Sequence, residues 1–199
     1  MRSGDWRNGV FDESLTERCK RLEFYETPQW AAEAILRCES FPPGLIVDPC
    51  CGTGILGQAA IRAGYQSLFS IDIHDWGSTP GLDHQADFLT WHPPPDTPFS
   101  VFANPPFSKA VDFVDHALQI GARKVIVFQR FSWWESKGRR DFWERHPPNR
   151  IYICGDRANC WRHDIPEAER GSSSPTAHAW FVWQRGHPPG TLLSHVWRD

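Results

Sequence analysis

The stretch GLIVDPCCGTGILGQAAIRAGYQSLFSIDI, residues 44 to 73, contains two apolar runs rich in β-branched side chains and a segment of helical spacing between them. GLIVDP (44 to 49) and SLFSIDI (67 to 73) have the length and composition of buried strands. The intervening GTGILGQAAIRAGY has a Gly near each end, where helices start and stop. A strand, a helix and a second strand in this order make a parallel pair joined by a crossover.

The same rhythm runs on through the chain. FSVFANPP (99 to 106) reads as a strand, SKAVDFVDHALQIGA (108 to 122) as a helix closed by Gly121, and RKVIVFQR (123 to 130), NRIYICG (149 to 155) and AHAWFVWQR (177 to 185) as further strands. This alternation predicts an α/β fold, a doubly wound, mainly parallel sheet covered on both faces. HPPPDTPF (92 to 99) is a loop, because three consecutive prolines do not fit a central strand. Residues 155 to 176 read as a long irregular loop, and the first twenty residues are expected to fray.

The chain has 199 residues, 40% of them apolar, enough for one domain with one sizeable core. No apolar run is long enough to cross a bilayer, and the N-terminal segment is too polar for a secretory leader. A soluble, cytoplasmic protein is expected. The six cysteines, Cys19, Cys38, Cys50, Cys51, Cys154 and Cys160, are scattered and read as free thiols. Net charge is −3, but its distribution is uneven: eight basic against sixteen acidic side chains over 1 to 122, ten against four over 123 to 163. A positive segment on an acidic body is either a phosphate-facing surface or a solvated helical face.

In VDPCCGTGILG (47 to 57) an acidic residue ends the first strand and closely spaced glycines open the helix. Glycines permit close backbone approach, and the free N–H groups of a helix start receive a polar group. Asp48 would repel a pyrophosphate but suits an amino group or hydroxyls. Asp72, at the tip of the next strand, is placed to accept from ribose hydroxyls, with Ile73 beside it and Asp75 as its rival. The arrangement fits a ligand that carries an α-amino acid and a nucleoside, held by Asp48, Cys50, Gly52, Gly54, Asp72 and Ile73.

DPCCGTG followed by NPPF resembles the class I S-adenosylmethionine-dependent methyltransferases, in particular the amino-methylating branch that includes the adenine-N6 DNA methyltransferases. FYETPQWAAEAIL (24 to 36) is similar to that family's element upstream of the glycine loop, which implies that Tyr25, Thr27 and Pro28 lie over the methionine part of S-adenosylmethionine. In ADFLTW (86 to 91) the resemblance implies Asp87 and Phe88 against the cofactor's adenine. The whole chain looks like small methyltransferases carried by phages and prophages, and the resemblance implies a single domain with a seven-stranded, Rossmann-like sheet.

NPPF, residues 104 to 107, then acquires a chemical reading. An exocyclic amine on an aromatic ring is a poor nucleophile, since its lone pair is delocalised. Two fixed acceptors, the side-chain carbonyl of Asn104 and the backbone carbonyl of Pro105, hold both N–H groups and localise the pair. Pro105 and Pro106 supply rigidity, and Phe107 stacks on the planar substrate. Many DNA adenine methyltransferases carry Asp first in this tetrapeptide. Asn is also used there, but it is shared with enzymes acting on RNA bases and on protein glutamine.

No large recognition insertion is present, so residues 130 to 176 are the candidate reader or lid. Arg130, Lys137, Arg139, Arg140, Arg145 and Arg150 interleave there with Trp133, Trp134, Trp143 and Trp161. Basic groups bind phosphates and aromatic rings accept unstacked bases. Arg130, Trp133, Trp134, Arg139 and Arg140 are the substrate contacts this reading selects. Cys154, Cys160 and His163 lack the spacing of a zinc site, no metal is expected, and Cys50 and Cys51 are not needed as nucleophiles. The sequence thus points to methyl transfer from S-adenosylmethionine to an exocyclic amine, adenine N6 in DNA first. RNA bases, protein glutamine and a non-catalytic, cofactor-binding protein are the alternatives.

Overall fold

The structure is a computed structural model that describes residues 13–171 and 176–198. Eight strands form one sheet: β1 Leu45–Asp48, β2 Leu68–Asp72, β3 His84–Gln85, β4 Phe99–Ala103, β5 Lys124–Arg130, β6 Arg150–Cys154, β7 His178–Gln184 and β8 Leu192–Val196. Their spatial order is β3-β2-β1-β4-β5-β7-β6-β8. All neighbours are parallel except β7, which runs antiparallel between β5 and β6. The α/β doubly wound expectation holds, with eight strands in place of seven.

Strand residues alternate between two cores. Val47, Val101, Val125 and Val127 join one apolar cluster, beneath helix α4 (Ala110–Gln119), whereas Ile46, Phe102, Ile126 and Phe128 join the other. This second cluster is covered by α2 (Gln29–Cys38) and α3 (Ile55–Arg62), which contribute Ala31, Ile35, Leu56 and Ala59. Successive side chains leave a strand on opposite faces, so unbroken apolar runs such as KVIVF are what a sheet covered on both sides requires. β8 is the exception: Leu192 and Leu193 are exposed and only Val196 is buried, so it is an edge added to the far side of β6.

A short helix, α1 (Leu15–Arg21), precedes the first core helix. The Ser14 hydroxyl accepts from the Glu17 N–H while the Glu17 carboxylate accepts from the Ser14 N–H, a reciprocal cap. Residues 15 to 20 are therefore helical rather than frayed, and residues 1–12 lie outside the described part. The 131–149 segment is also helical: short 3₁₀ turns at Phe131–Trp134 and Lys137–Arg139 lead into α5 (Arg140–Arg145).

At the N-terminal ends of β5 and β6 the buried Glu39 carboxylate is bonded by Lys124, Arg150 and the Tyr152 hydroxyl. Arg150 is thereby removed from any reading surface. The strand order reverses between β1 and β4, and there the crossovers leave to opposite faces at the C-terminal strand ends. Such a point opens a crevice suited to ligands.

Candidate functional site

That crevice is a cavity of about 260 Å³. Its floor is made by three strand ends: Asp48 closes β1, Asp72 closes β2 and Asn104 follows β4. Tyr25, Thr27, Cys50, Ile73, Asp87, Phe88 and Pro106 also line it. Ten of the residues singled out in the sequence thus meet in one chamber.

Asp48 is buried, and its single bond is the Cys50 N–H to Oδ1 at 3.4 Å; Oδ2 has no partner among the described residues. Burial pushes its carboxyl up to about 8, and the neighbouring Asp72 charge adds to the rise. Asp72 is raised as well, chiefly by burial, but is held better. Its Oδ2 accepts from the Gly52 N–H at 2.9 Å, and its Oδ1 from the His74 N–H at 3.0 Å and the Trp76 indole at 3.2 Å. Oδ1 is saturated by two donors, which leaves one lone pair on Oδ2 for a further hydroxyl. Asp75, the rival, is exposed and caps the Gly77 N–H at 2.9 Å away from the cavity.

The glycines serve the chain itself. Gly54 has φ +87°, and a Cβ there would lie 2.1 Å from the Thr79 carbonyl oxygen; at Gly52, φ +54°, a Cβ would meet the Phe24 ring at 2.6 Å. The loop is narrow because other protein backbone and a ring press on it, beside whatever ligand it receives. Burial raises the Cys50 thiol well above its ordinary value and Cys51 to about 12, so neither supplies a thiolate at neutral pH.

A strap of residues 22 to 27 roofs the cavity. Tyr25 pairs with Arg162 as an antiparallel bridge, flanked by Glu26 N–H to Trp161 O and His163 N–H to Phe24 O. The Glu26 carboxylate takes bonds from His163 Nδ1 (3.0 Å), the Thr53 hydroxyl (3.2 Å) and Arg170 (3.4 Å). At the other side Glu23 accepts from the Ser108 N–H and hydroxyl, at 2.9 and 2.6 Å. Pro28 begins α2 just behind Thr27. The strap thereby joins the glycine loop, the loop after residue 155 and the NPPF turn.

In the NPPF turn, Asn104 Nδ2 donates to the Tyr25 carbonyl at 2.7 Å, and Oδ1 has no hydrogen bond among the described residues. A carbonyl only accepts, so the amide has one allowed orientation, with its oxygen left over. The Pro105 carbonyl accepts from Gln129 Nε2 at 3.0 Å. Phe107 lies outside the chamber, its ring 5.5 Å from that of Tyr25 and covered by the Arg130 guanidinium at 4.3 Å.

The remaining substrate contacts selected from sequence separate. Trp133 is 5% exposed and packs on Trp143, Phe142 and Phe181, which places it in the core instead of on a reading surface. Arg139 folds back onto the carbonyls of Trp133 and Glu135, at 3.0 and 2.8 Å, closing the 3₁₀ turns. Arg140 pairs with Glu144 one turn on, and Trp134 is partly exposed against Trp143. Among these five residues, Arg130 alone reaches the NPPF turn. Trp76, Glu26 and Gln129 escaped sequence reasoning. The one signal for Gln129 was an amide directly after the apolar run VIVF of β5. No group of three or more His, Cys, Asp or Glu that could hold a metal ion occurs among the described residues, and none of the helices there is long and apolar enough to cross a membrane.

This topology, with its cavity at the β1–β4 switch point, defines the fold of the S-adenosylmethionine-dependent methyltransferases. A protein assigned as an RNA methyltransferase from Pyrococcus horikoshii superposes with a TM-score of 0.53 at 13% identity, over 86% of this chain and 84% of the other. The modification subunit assigned to a type I restriction enzyme of Vibrio vulnificus gives 0.60 at 13% identity; the match covers 84% of this chain but 45% of that one. An S-adenosylmethionine-dependent O-methyltransferase of Thermotoga maritima gives 0.50 at 12%, over 88% and 73%. No protein-family model matches the sequence, and no curated protein matches it.

Proposed function

We propose that the protein is an S-adenosylmethionine-dependent N-methyltransferase acting on an exocyclic amine, adenine N6 in DNA first. The observation that carries this reading is the Asn104 amide, pinned so that a carbonyl oxygen is left over at the end of β4.

The residues fit the cofactor. The buried carboxylates of Asp48 and Asp72 end adjacent strands, and the charge of Asp72 adds to the rise of Asp48. Such a pair favours a ligand that brings positive charge, and Asp48 Oδ2 is the acceptor for an amino group. Asp72 Oδ2 has room for a ribose hydroxyl, and Ile73 and Phe88 offer apolar surface to an adenine whose amine Asp87 accepts. When bound, the cofactor supplies an electrophilic methyl group on a sulfonium.

Asn104 Oδ1 and the Pro105 carbonyl each take one N–H of the acceptor amine, which localises its lone pair. Held by Asp48, Asp72, Ile73, Asp87 and Phe88, the cofactor would supply its methyl group to this nitrogen and keep the C–S electron pair on sulfur, and the methylated nitrogen would shed its extra proton to water. Proximity and orientation carry the rate here. Arg130, beside the NPPF turn, favours an acceptor attached to phosphate. The likeness to a modification subunit and to an assigned RNA methyltransferase supports a nucleic acid, and DNA is placed ahead of RNA on the resemblance of DPCCGTG and NPPF together to the branch that includes the adenine-N6 DNA methyltransferases.

The test is incubation with methyl-labelled cofactor and, separately, unmethylated DNA, unmodified RNA and a protein extract, with mass spectrometry of the product. Methyladenine in DNA is expected. Label confined to RNA or to protein glutamine replaces the substrate and keeps the chemistry; cofactor binding without transfer to any of them overturns the enzymatic reading.

A further inference from the structure

Every interior side chain of β5 is apolar except two, Lys124 at its start and Gln129 near its end. Lys124 is accounted for by Glu39. Gln129 is 1% exposed, faces Ala179 of β7 in the strand register, and directs its Nε2 to the Pro105 carbonyl at 3.0 Å. An unbranched apolar side chain of the same length would fill this space without the cost of desolvating an amide. The amide is therefore retained for the bond it makes.

We propose that Gln129 is a positioning residue for the methyl acceptor, acting through the Pro105 carbonyl. The inference rests on the reading of the NPPF turn given above. A peptide carbonyl has two lone pairs. Gln129 occupies one from the β5 side and so fixes the direction of the other, which takes the second N–H of the amine. The two acceptors of the amine are then each held by a separate partner, Asn104 by the strap and Pro105 by β5. Gln129 itself is not among the residues that line the cavity.

The experiment uses the full chain carrying Gln129→Met, which keeps length and loses the donor, and Gln129→Glu, which donates only when protonated. Both are assayed on the acceptor that the wild type methylates, with cofactor affinity measured by calorimetry. For Gln129→Met, kcat is expected to fall about 10- to 100-fold, the scale for a misplaced acceptor, with KM and cofactor affinity within about threefold. For Gln129→Glu, kcat relative to wild type should rise as pH falls, because the buried carboxyl donates in its neutral form and repels the carbonyl when ionised. Wild-type kcat in Gln129→Met, or a loss shared equally by kcat and cofactor affinity, overturns the proposal. If Gln129→Met does not fold, the Gln129→Glu profile decides, and a profile parallel to wild type overturns it. A wild type that transfers to no acceptor removes the N-methyltransferase reading together with this inference.

Discussion

Asn104 and Tyr25 are 79 positions apart in the chain, yet the side-chain amide of the first donates to the main-chain carbonyl of the second over 2.7 Å. The bond ties the turn after β4 to the strap that roofs the cavity. Asn104→Ala removes both the tie and the free carbonyl. Turnover is expected to fall about 100- to 1,000-fold, the scale for losing one preorganised polar group, with cofactor affinity changed a few-fold at most. Single-turnover kinetics beside calorimetry reads the two apart; parallel losses would count against the role given to Asn104.

Asp48, read as the acceptor for the cofactor's amino group, is expected to make cofactor binding pH-dependent. Its carboxyl is raised to about 8, so near pH 6 it is mostly protonated and must give up a proton to receive an amino group. Affinity should climb about tenfold per pH unit up to about pH 8 and then level. The sign for stability is opposite. A carboxyl raised in the folded state contributes stability below its unfolded value and loses it as pH rises from about 4 to 8. Asp48→Asn should bind cofactor weakly at every pH, and its cofactor-free melting point should gain on wild type as pH rises from 5 to 8.

Trp133 and Trp134 are neighbours with different burial, 5% and 37% exposed. Trp133→Ala should cost about 3–5 kcal/mol in denaturant unfolding. Trp134→Ala should cost about 1 kcal/mol, the worth of its contact with Trp143. Equal losses would contradict the assignment of Trp133 to the core.

The outline of the fold was legible because β1, α3, β2, β4, α4 and β5 bury apolar residues at regular periods. Asp48, Asp72 and Asn104 were legible as site residues because strand ends at a switch point converge whatever fills the sheet between them. β3 was not, since two residues carry no period, and nor was β8, whose exposed LLSH lacks the alternation of a half-buried strand. The Trp/Arg segment misled for a physical reason. Composition reports that aromatic and basic residues are interleaved, but the 3₁₀ turns decide which of them face inward. They turned Trp133 into the core and Arg139 onto its own backbone.

Among the three arginines selected as substrate contacts, Arg130 is the remaining phosphate candidate. Arg130→Gln should weaken nucleic-acid binding across sequences and lower the salt slope of log affinity by about one unit, one counterion fewer released. Arg140→Gln, whose guanidinium is paired with Glu144, should leave the slope unchanged. Filter binding at several salt concentrations separates the two.

The strap contributes to Asn104 through the carbonyl of residue 25, not through the tyrosine ring, just as Gly52 contributes to Asp72 through its N–H. Main-chain groups are supplied by any amino acid that adopts the local conformation. Position 25 can therefore exchange its side chain while the amide orientation at Asn104 is preserved. The ring that lines the cavity and the carbonyl that orients the amide can then evolve separately, though both are lodged in the same short run of backbone.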